Sequence, residues 1–232
     1  MKENLIKIRK WVLRGILLFF VGSIGLVLFY RFVPVWVTPL MVIRSMQSIG
    51  SDKFVGIEKD WVPLEEMSPS LSRAVLKAED YRFFEHNGFD YEAIRKAYQY
   101  NRTHTHKKGA STISQQTAKN VFLWPQRSWL RKGLEAYFTV LIETVWPKER
   151  ILEVYLNVIE FGNGVYGVEA AAQKFFHRSA RNVNPYHASL MAAVLPNPRK
   201  LRIDRPSYYV LSRQKRILKR PAPQFASEPN SN

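Results

Sequence analysis

Two adjacent carboxylates, Glu79 and Asp80, form the first cluster in the chain that could do acid–base chemistry. The dipeptide Ser68-Pro69 is a typical helix start, and the apolar residues after it recur at helical spacing as far as Glu79. A helix C-terminus disfavours negative charge, so this position raises the pKa of a carboxylate toward the range that a general acid or base needs. The alternative is a polar helix end whose neighbouring aromatic residues pack inward.

A second cluster combines small hydroxylated residues with amides and positive charge. It comprises Gly109, Ser111, Thr112, Gln115, Gln116, Lys119 and Asn120. Thr112 and Gln115 have the spacing of a capping box, which predicts a helix start, and free backbone N–H groups at such a start suit a phosphate. Lys119 would add a positive charge one turn further along, and Arg127 lies in a predicted turn beyond the helix. The alternative is an ordinary capped helix with solvated polar side chains.

Two other polar groups have simpler interpretations. Arg131 and Glu135 are spaced like a surface ion pair on a helix, and such pairs contribute only about 0 to 1 kcal/mol to stability. The stretch 101–108 contains His104 and His106 beside two lysines. It is interpreted as a mobile basic loop, because no carboxylate lies close enough in sequence to complete a metal site.

These clusters lie on a chain whose pattern is mostly helical. Caps and apolar spacing predict further helices that begin near residues 112, 128, 151, 168 and 184, the last ending at Pro196. Glycines at 162, 164 and 167 indicate a loop, and no segment alternates well enough to be a long strand. The tail after Arg220 is rich in Pro and Ser and is expected to be disordered.

The composition indicates a basic protein with one packed domain. Its 232 residues carry 35 Lys and Arg against 19 Asp and Glu, a formal net charge of +16. This excess implies an anionic partner, such as nucleic acid, a phospholipid surface or a phosphorylated substrate. An apolar fraction of 46% excludes wholesale disorder, and the absence of cysteine excludes disulfide scaffolds, thiolate metal sites and cysteine nucleophiles.

The N-terminal sequence indicates which of these anionic partners the protein can reach. An uncharged apolar run over residues 15–30 follows five basic residues, and with its flanks it is long enough to span a membrane. No small-residue cleavage site follows the run, which favours an uncleaved anchor over a signal peptide. The basic flank predicts a cytoplasmic N-terminus, so the rest of the chain would lie outside, away from chromosomal DNA.

Five motifs follow one another within residues 55–201. They are Glu79-Asp80-x-x-Phe83-x-x-His86-x-Gly88, Gly109-x-Ser111-Thr112-Ile113-x-Gln115-Gln116, Arg131-Lys132-x-x-Glu135, Lys148-x-x-Ile151-Leu152-x-x-Tyr155-Leu156-Asn157 and His177-Arg178-Ser179-Ala180. Together they resemble the peptidoglycan glycosyltransferase family, the transglycosylase module of bifunctional penicillin-binding proteins. Ser114 stands where the family usually has Thr, and His187 where it usually has Glu. Ser212-x-x-Lys215 fits the nucleophile pattern of a penicillin-binding domain, but no Lys-Thr-Gly follows it, so the chain is similar to the monofunctional, membrane-anchored form.

The resemblance implies polymerisation of lipid II, a lipid-linked disaccharide-peptide, into glycan strands. Glu79 would deprotonate the acceptor 4-hydroxyl as it attacks a donor linked to undecaprenyl pyrophosphate, with inversion at the anomeric carbon. Lys119 and Arg127 would stabilise the leaving pyrophosphate, and Glu135 would orient substrate or these cations. The donor site would also include Ser111, Gln115, Gln116 and Asn120, and the supporting residues would be Asp80, Phe83, His86, Gly88, Gly109, Thr112, Arg131, Lys132 and Asn157.

The resemblance also implies a mostly α, lysozyme-like fold with a small membrane-proximal lobe, preceded by one transmembrane helix. The expected segments are a cytoplasmic N-terminus over 1–10, an anchor over 11–33, a linker over 34–54, the glycosyltransferase domain over 55–219 and a tail over 220–232. The protein would be a single-pass protein of the cytoplasmic (inner) membrane with its catalytic domain outside. Implied partners are lipid II, undecaprenyl-pyrophosphate-linked glycan, the membrane, and cell-wall synthesis and division proteins, but no nucleic acid. No protein metal site is expected, although Mg²⁺ or Mn²⁺ could bridge the substrate pyrophosphate.

Two other functions remain open. A lytic transglycosylase or muramidase on a similar fold would cleave glycan with Glu79 as acid, but it would have little use for Lys119 and Arg127. A non-catalytic basic membrane scaffold would explain the charge and the anchor. It would not explain why the acids and glutamines occur in this order.

Overall fold

The computed structural model of the protein describes residues 2–49, 54–105 and 107–223. Within these ranges the chain is mostly α-helical, which confirms the predicted class. The chain divides into two compact units, Met1–Pro34 and Val35–Asn232. His106 and most of the tail expected to be disordered, residues 224–232, lie outside the described residues.

The first unit contains one long helix, α1 (Lys2–Phe32). Its stretch Ile6–Phe32 is long and apolar enough to cross a membrane. At about 1.5 Å per residue this stretch is about 40 Å long, more than the hydrocarbon core of about 30 Å. An N-terminal helix of this kind fits a single-pass membrane protein.

The second unit is built from shorter helices. In chain order they are α2 (Pro39–Gln47), α3 (Pro69–Glu79), α4 (Tyr91–Thr103), α5 (Ile113–Phe122), α6 (Trp129–Val145), α7 (Lys148–Val158), α8 (Val168–Phe176), α9 (Pro185–Val194) and α10 (Tyr208–Lys219). The apolar helix α9 packs against α3 and α10, while α5 packs against α6, α7 and α2. These two groups of helices form the core that supports the polar clusters.

Side-chain caps explain four of the predicted helix starts, those of α3, α5, α6 and α9. The Thr112 hydroxyl accepts a hydrogen bond from the Gln115 N–H while the Gln115 amide oxygen accepts one from the Thr112 N–H, so the predicted capping box is present. Asn184 Oδ1 accepts the His187 N–H at 2.8 Å at the start of α9. Each cap satisfies backbone donors that the first turn leaves without helical partners.

A small sheet occupies part of the predicted glycine-rich loop. Its strands are β1 (Glu58–Lys59), β2 (Glu160–Gly162) and β3 (Val165–Tyr166), in the order β1-β3-β2. β3 pairs in parallel with β1 and antiparallel with β2. The loop prediction is therefore wrong here, because strands of two or three residues are too short to show a period and β1 is distant in sequence.

The stretch 101–108 is only partly a loop. Its first residues, up to Thr103, complete α4. Asn101 Nδ2 donates to the Lys108 carbonyl oxygen at 3.0 Å, and Asn101 Oδ1 accepts the Lys108 N–H at 2.7 Å. The interpretation of the stretch as a loop is therefore wrong for residues 101–103, which are helical.

Candidate active site

Glu79 is the last residue of α3, and its side chain is only 14% exposed. Its Oε2 accepts a hydrogen bond from Gln116 Nε2 at 3.0 Å, and its Oε1 accepts one from Arg213 Nη2 at 2.8 Å. Burial raises the pKa of Glu79, while the Gln116 hydrogen bond and the charges of Arg213 and Lys119 act in the opposite direction. The predicted direction of the pKa is confirmed, but its main cause is burial.

Asp80 connects the end of α3 to the start of α5. Its buried carboxylate accepts the Ile113 N–H at 2.9 Å and lies 3.0 Å from His86 Nε2. Thr112 Oγ1 donates to the Gly88 carbonyl oxygen at 2.7 Å in the same region. These contacts join the first and second motifs, so they fix Glu79 against the helix that carries Gln116.

At the start of α5, three of the backbone N–H groups suggested for a phosphate already have partners. The N–H groups of Thr112 and Gln115 are used within the capping box, and that of Ile113 is bound to Asp80. These three N–H groups are therefore not available to a phosphate.

A cavity of about 520 Å³, called the cationic cavity below, lies along α5 and α6. It brings together all the predicted donor-site residues: Ser111, Gln115, Gln116, Lys119, Asn120 and Arg127. Arg131, Lys132 and Glu135 line it as well. Among the described residues, six basic side chains and two carboxylates line this cavity, so it suits a group with several negative charges.

Glu135 is surrounded by positive charge inside this cavity. Its Oε2 accepts from Arg131 Nη1 at 3.1 Å, and its Oε1 accepts from Lys132 Nζ. The Arg131 and Glu135 side chains are only 11% and 5% exposed, so the prediction of a surface ion pair is wrong. Packing of α6 against α5 buries the pair, and helical spacing alone could not show this.

Among the described residues, Lys119, Arg127 and Arg199 are the cations of this cavity that have no carboxylate partner. Burial lowers the pKa of Lys119, the charges of Arg131, Arg44 and Lys132 lower it further, and Glu135 opposes them. Within the described part of the chain, neither the Lys119 ammonium nor the Arg127 guanidinium makes a hydrogen bond or an ion pair. A bound anion would therefore find both groups available, and it would favour the charged form of Lys119.

Glu79 lines a second cavity of about 910 Å³, called the Glu79 cavity below. Asp80, Gly109 and Arg213 also line it. The two cavities share Ser111, Gln116, Arg127 and Pro196. A buried carboxylate thus lies beside a cation-rich site, which is an arrangement for proton removal next to a leaving anion.

Comparison with known proteins identifies the family. The family model described as Transglycosylase matches residues 47–222, more than half of the chain. The chain belongs to the transglycosylase family. It is similar to biosynthetic peptidoglycan transglycosylases from Bdellovibrio bacteriovorus (74% identical over 216 residues, 93% of this chain and 86% of the relative), Bacteroides thetaiotaomicron (52% over 213 residues, 92% and 86%) and Caulobacter vibrioides (50% over 210 residues, 90% and 89%). The family resemblance seen in the motifs is confirmed.

Several motif residues support the transglycosylase domain from outside both cavities. Phe83 and Asn157 are fully buried, and the Asn157 side chain both donates to and accepts from the backbone of Val62. Lys148 Nζ donates to the His86 carbonyl oxygen at 2.6 Å, which joins the fourth motif to the first. These residues hold the framework of the site.

His187, which replaces the usual Glu, also lies outside both cavities. Its ring stacks on Phe176 with 4.1 Å between ring centroids. Burial and the charge of Arg178 lower the pKa of His187, which favours a neutral ring in this stack.

Three arginines of the second unit that line the cavities were not found from the sequence: Arg44, Arg199 and Arg213. Arg44 and Arg199 line the cationic cavity, and Arg44 Nη1 contacts the buried Glu160. The sequence does contain start signals for the helices that carry Arg44 and Arg213. The helix α2 begins with a Thr38-Pro39 cap, and α10 begins with a Ser207 cap. Arg199 lies in a turn that carries no such signal.

A protein-bound metal has no evident place in the described ranges. Within residues 2–49, 54–105 and 107–223, no group of three or more His, Cys, Asp or Glu residues is placed to hold a metal ion. Both Glu135 oxygens already accept hydrogen bonds from cationic side chains.

Proposed function

We propose that this chain polymerises lipid II by transferring a glycan from undecaprenyl pyrophosphate to the 4-hydroxyl of an incoming lipid II, with inversion. Peptidoglycan glycosyl transfer in cell-wall synthesis is the activity of the family and of the relatives named above. The observation that carries the proposal is a buried carboxylate, Glu79, in a cavity that adjoins a second cavity rich in cations.

The two cavities correspond to the two reacting groups. The acceptor hydroxyl would enter the Glu79 cavity, and Glu79 would take its proton as the oxygen attacks the donor's anomeric carbon. The bond from that carbon to the pyrophosphate breaks at the same time, and the leaving pyrophosphate keeps the electron pair. Lys119 and Arg127 would stabilise this negative charge in the cationic cavity.

Glu135 has a different role in this proposal. Glu135 lines the cationic cavity, where Arg131 and Lys132 donate to its two oxygens. It does not line the Glu79 cavity, so it is not placed to take the proton of an acceptor hydroxyl bound there. Its charge instead raises the pKa of Lys119 and orients the neighbouring cations. In this proposal Glu79 acts as the base, and Glu135 orients the cations of the cationic cavity.

The cationic cavity favours polymerisation over lytic cleavage. A lytic enzyme also needs a carboxyl group at the position of Glu79, and a raised pKa suits an acid as well as a base. Glycan cleavage, however, releases no pyrophosphate, so it gives the available Lys119 and Arg127 no function. A binding scaffold would likewise not need Glu79 buried beside them.

The proposed location follows from the substrate and from α1. A lipid-linked donor is reached most directly by a domain attached to the same membrane. The five basic residues before the uncharged run 15–30 favour a cytoplasmic N-terminus. The protein would therefore be anchored in the cytoplasmic membrane with its transglycosylase domain outside. Cell-wall synthesis and division proteins would be its partners there.

The proposal is tested with full-length protein in detergent and labelled lipid II, with the products separated on a gel. We expect a ladder of glycan polymers from the wild type and from Glu149→Gln, which changes an exposed acid on α7, but none from folded Glu79→Gln. The same proteins are incubated with preformed glycan. Cleavage of that glycan without polymer formation would contradict the proposal in favour of a lytic enzyme, and inactivity toward both substrates would favour a scaffold.

A further inference from the structure

The last described helix, α10, reaches the end of the helix that carries Glu79. Arg213 Nη2 donates to the Ala78 carbonyl oxygen at 3.3 Å as well as to Glu79 Oε1 at 2.8 Å. Arg220 Nη1 donates to the Lys77 carbonyl oxygen at 2.8 Å. The last carbonyl groups of a helix lack helical partners and carry partial negative charge, so both arginines stabilise the C-terminus of α3.

Packing of α10 fixes where the Arg213 guanidinium lies. Its inner face buries Val210, Gln214 and Ile217 against the domain, and α10 packs on both α9 and α3. Gln214 Nε2 donates to the Tyr186 carbonyl oxygen at 3.0 Å, which ties α10 to the start of α9. The Arg213 side chain is 21% exposed, so the ion pair with Glu79 is largely shielded from water.

We propose that Arg213 is a positioning residue that keeps Glu79 ionised and oriented before the acceptor hydroxyl arrives. The inference rests on the proposed function, in which Glu79 is the general base. A general base must be ionised before it can take a proton, and an opposite charge at hydrogen-bond distance favours the ionised carboxylate. Arg213 and Gln116 each bind one oxygen of Glu79, which fixes the carboxylate while each oxygen retains a lone pair for the proton.

The other groups that face Glu79 do not replace this effect. Lys119 on α5 also favours the ionised form, but less than Arg213, and the neighbouring Asp80 disfavours it. Tyr155 on α7 donates to Gln116 Oε1 at 3.3 Å, and burial raises its pKa so that the phenol stays neutral. Arg213 is thus the charged group in the described part of the chain that contributes most to the ionisation of Glu79.

A role in binding substrate phosphate predicts a different outcome. Arg213 lines the Glu79 cavity, so its guanidinium could contact an anionic part of the acceptor. Loss of such a contact would raise KM at every pH. Loss of a positioning role would instead change the pH at which Glu79 becomes ionised.

The first experiment measures kcat and KM for labelled lipid II over a broad pH range with full-length protein in detergent. The variants are Arg213→Gln, Arg213→Lys and Arg216→Gln, the last being an exposed arginine on the same helix. We expect Arg213→Gln to move the acidic limb of kcat/KM toward higher pH by about 1 to 3 pH units, with recovery of rate above that limb. Arg213→Lys keeps the charge and should move the limb less, and Arg216→Gln should leave it in place. An unmoved limb, with KM raised throughout or the rate lowered throughout, would overturn the proposal.

A second experiment measures the effect of Arg213 on the titration of Glu79 in the absence of catalysis. Glutamate side chains labelled with ¹³C at the carboxyl carbon are titrated by NMR in the wild type and in Arg213→Gln, and Glu79→Gln identifies the Glu79 signal. We expect Glu79 to titrate at higher pH in Arg213→Gln than in the wild type, whereas equal titration would contradict the proposal. Failure of the wild type to form polymer would reject the proposed function, and this titration would still decide what Arg213 does to Glu79.

Discussion

Two buried carboxylates of the transglycosylase domain differ in the groups that bind them. Glu135 binds two cations of the cationic cavity, Arg131 and Lys132. Glu79 binds one neutral amide and one guanidinium and lines the cavity that would receive the acceptor. Both residues are glutamates, so their proposed roles follow from the groups that bind them. Glu79 is the proposed base, and Glu135 is proposed to orient the neighbouring cations.

Removal of the negative charge in Glu135→Gln should make the proposed polymerisation more sensitive to alkaline pH. Glu135 raises the pKa of Lys119, against burial and the neighbouring cations that lower it. Without that carboxylate the pKa of Lys119 falls further, so the ammonium loses its proton at a lower pH. We expect the basic limb of the kcat profile to move toward lower pH.

The measurement is the same lipid II assay at increasing pH, with Glu149→Gln as the control for an exposed acid. An unchanged basic limb in a folded Glu135→Gln protein would show that Glu135 does not support the charge of Lys119. Circular dichroism establishes whether the variant is folded.

Helices that begin with a strong local cap could be predicted from the sequence. Ser68-Pro69, the Thr112–Gln115 box and Asn184-Pro185 each determine a start within a few residues, and each prediction agrees with the structure. α4 and α10 were missed, although Asp90 and Ser207 cap them, because their many charged residues obscure a short apolar face.

The site was predictable only for residues that lie within the motifs or a few residues after the second motif. The six predicted donor-site residues line one cavity, but Arg44, Arg199 and Arg213 reach the two cavities from distant parts of the chain. Their positions depend on how helices pack, and a single sequence contains no local signal for that. Burial of the Arg131–Glu135 pair was missed for the same reason.

The turn after α3 should not tolerate Gly88→Ala. Gly88 has a φ of 88°, and a Cβ there would lie 2.7 Å from Thr139 Cγ2 and 3.0 Å from Glu143 Cγ. The left-handed conformation costs an ordinary residue about 1 to 2 kcal/mol, and overpacking adds about 1 to 3 kcal/mol. We expect a lower Tm and reduced polymerisation, because this turn also accepts the Thr112 hydroxyl.

Thermal unfolding in detergent tests this expectation. Gly133→Ala is the matched control, since it lies within α6 and a Cβ there would meet nothing within 4 Å. That change should leave Tm equal or raise it, because alanine favours a helix by about 0.5 to 1 kcal/mol over glycine. Equal Tm values for Gly88→Ala and the wild type would show that the turn can relax.

The protein as a whole combines a candidate membrane helix with a net charge of +16. Positive charge near a membrane favours anionic lipid headgroups and lipid-linked phosphates. The same excess would suit nucleic acid on a cytoplasmic protein, so the side of the membrane decides which anion is available. The orientation of α1 is therefore central to the proposed function.

The proposed orientation predicts the activity of phosphatase fusions. A periplasmic alkaline phosphatase fused after Asn232 should be active in cells, whereas the same enzyme fused before Met1 should be inactive because it stays in the cytoplasm. Phosphatase activity is measured in intact cells, and immunoblotting confirms equal amounts of both fusions. Phosphatase activity of the N-terminal fusion alone would show that the topology is the opposite of the proposed one.

The ion pair between Glu79 and Arg213 joins positions that are 134 residues apart. A ribosome must therefore add α10 before the carboxylate receives its guanidinium partner. A nascent chain or a prematurely terminated product that ends before α10 would contain all five motifs and still lack a complete base. Under the proposed role of Arg213, glycan synthesis would therefore begin only after α10 has been translated.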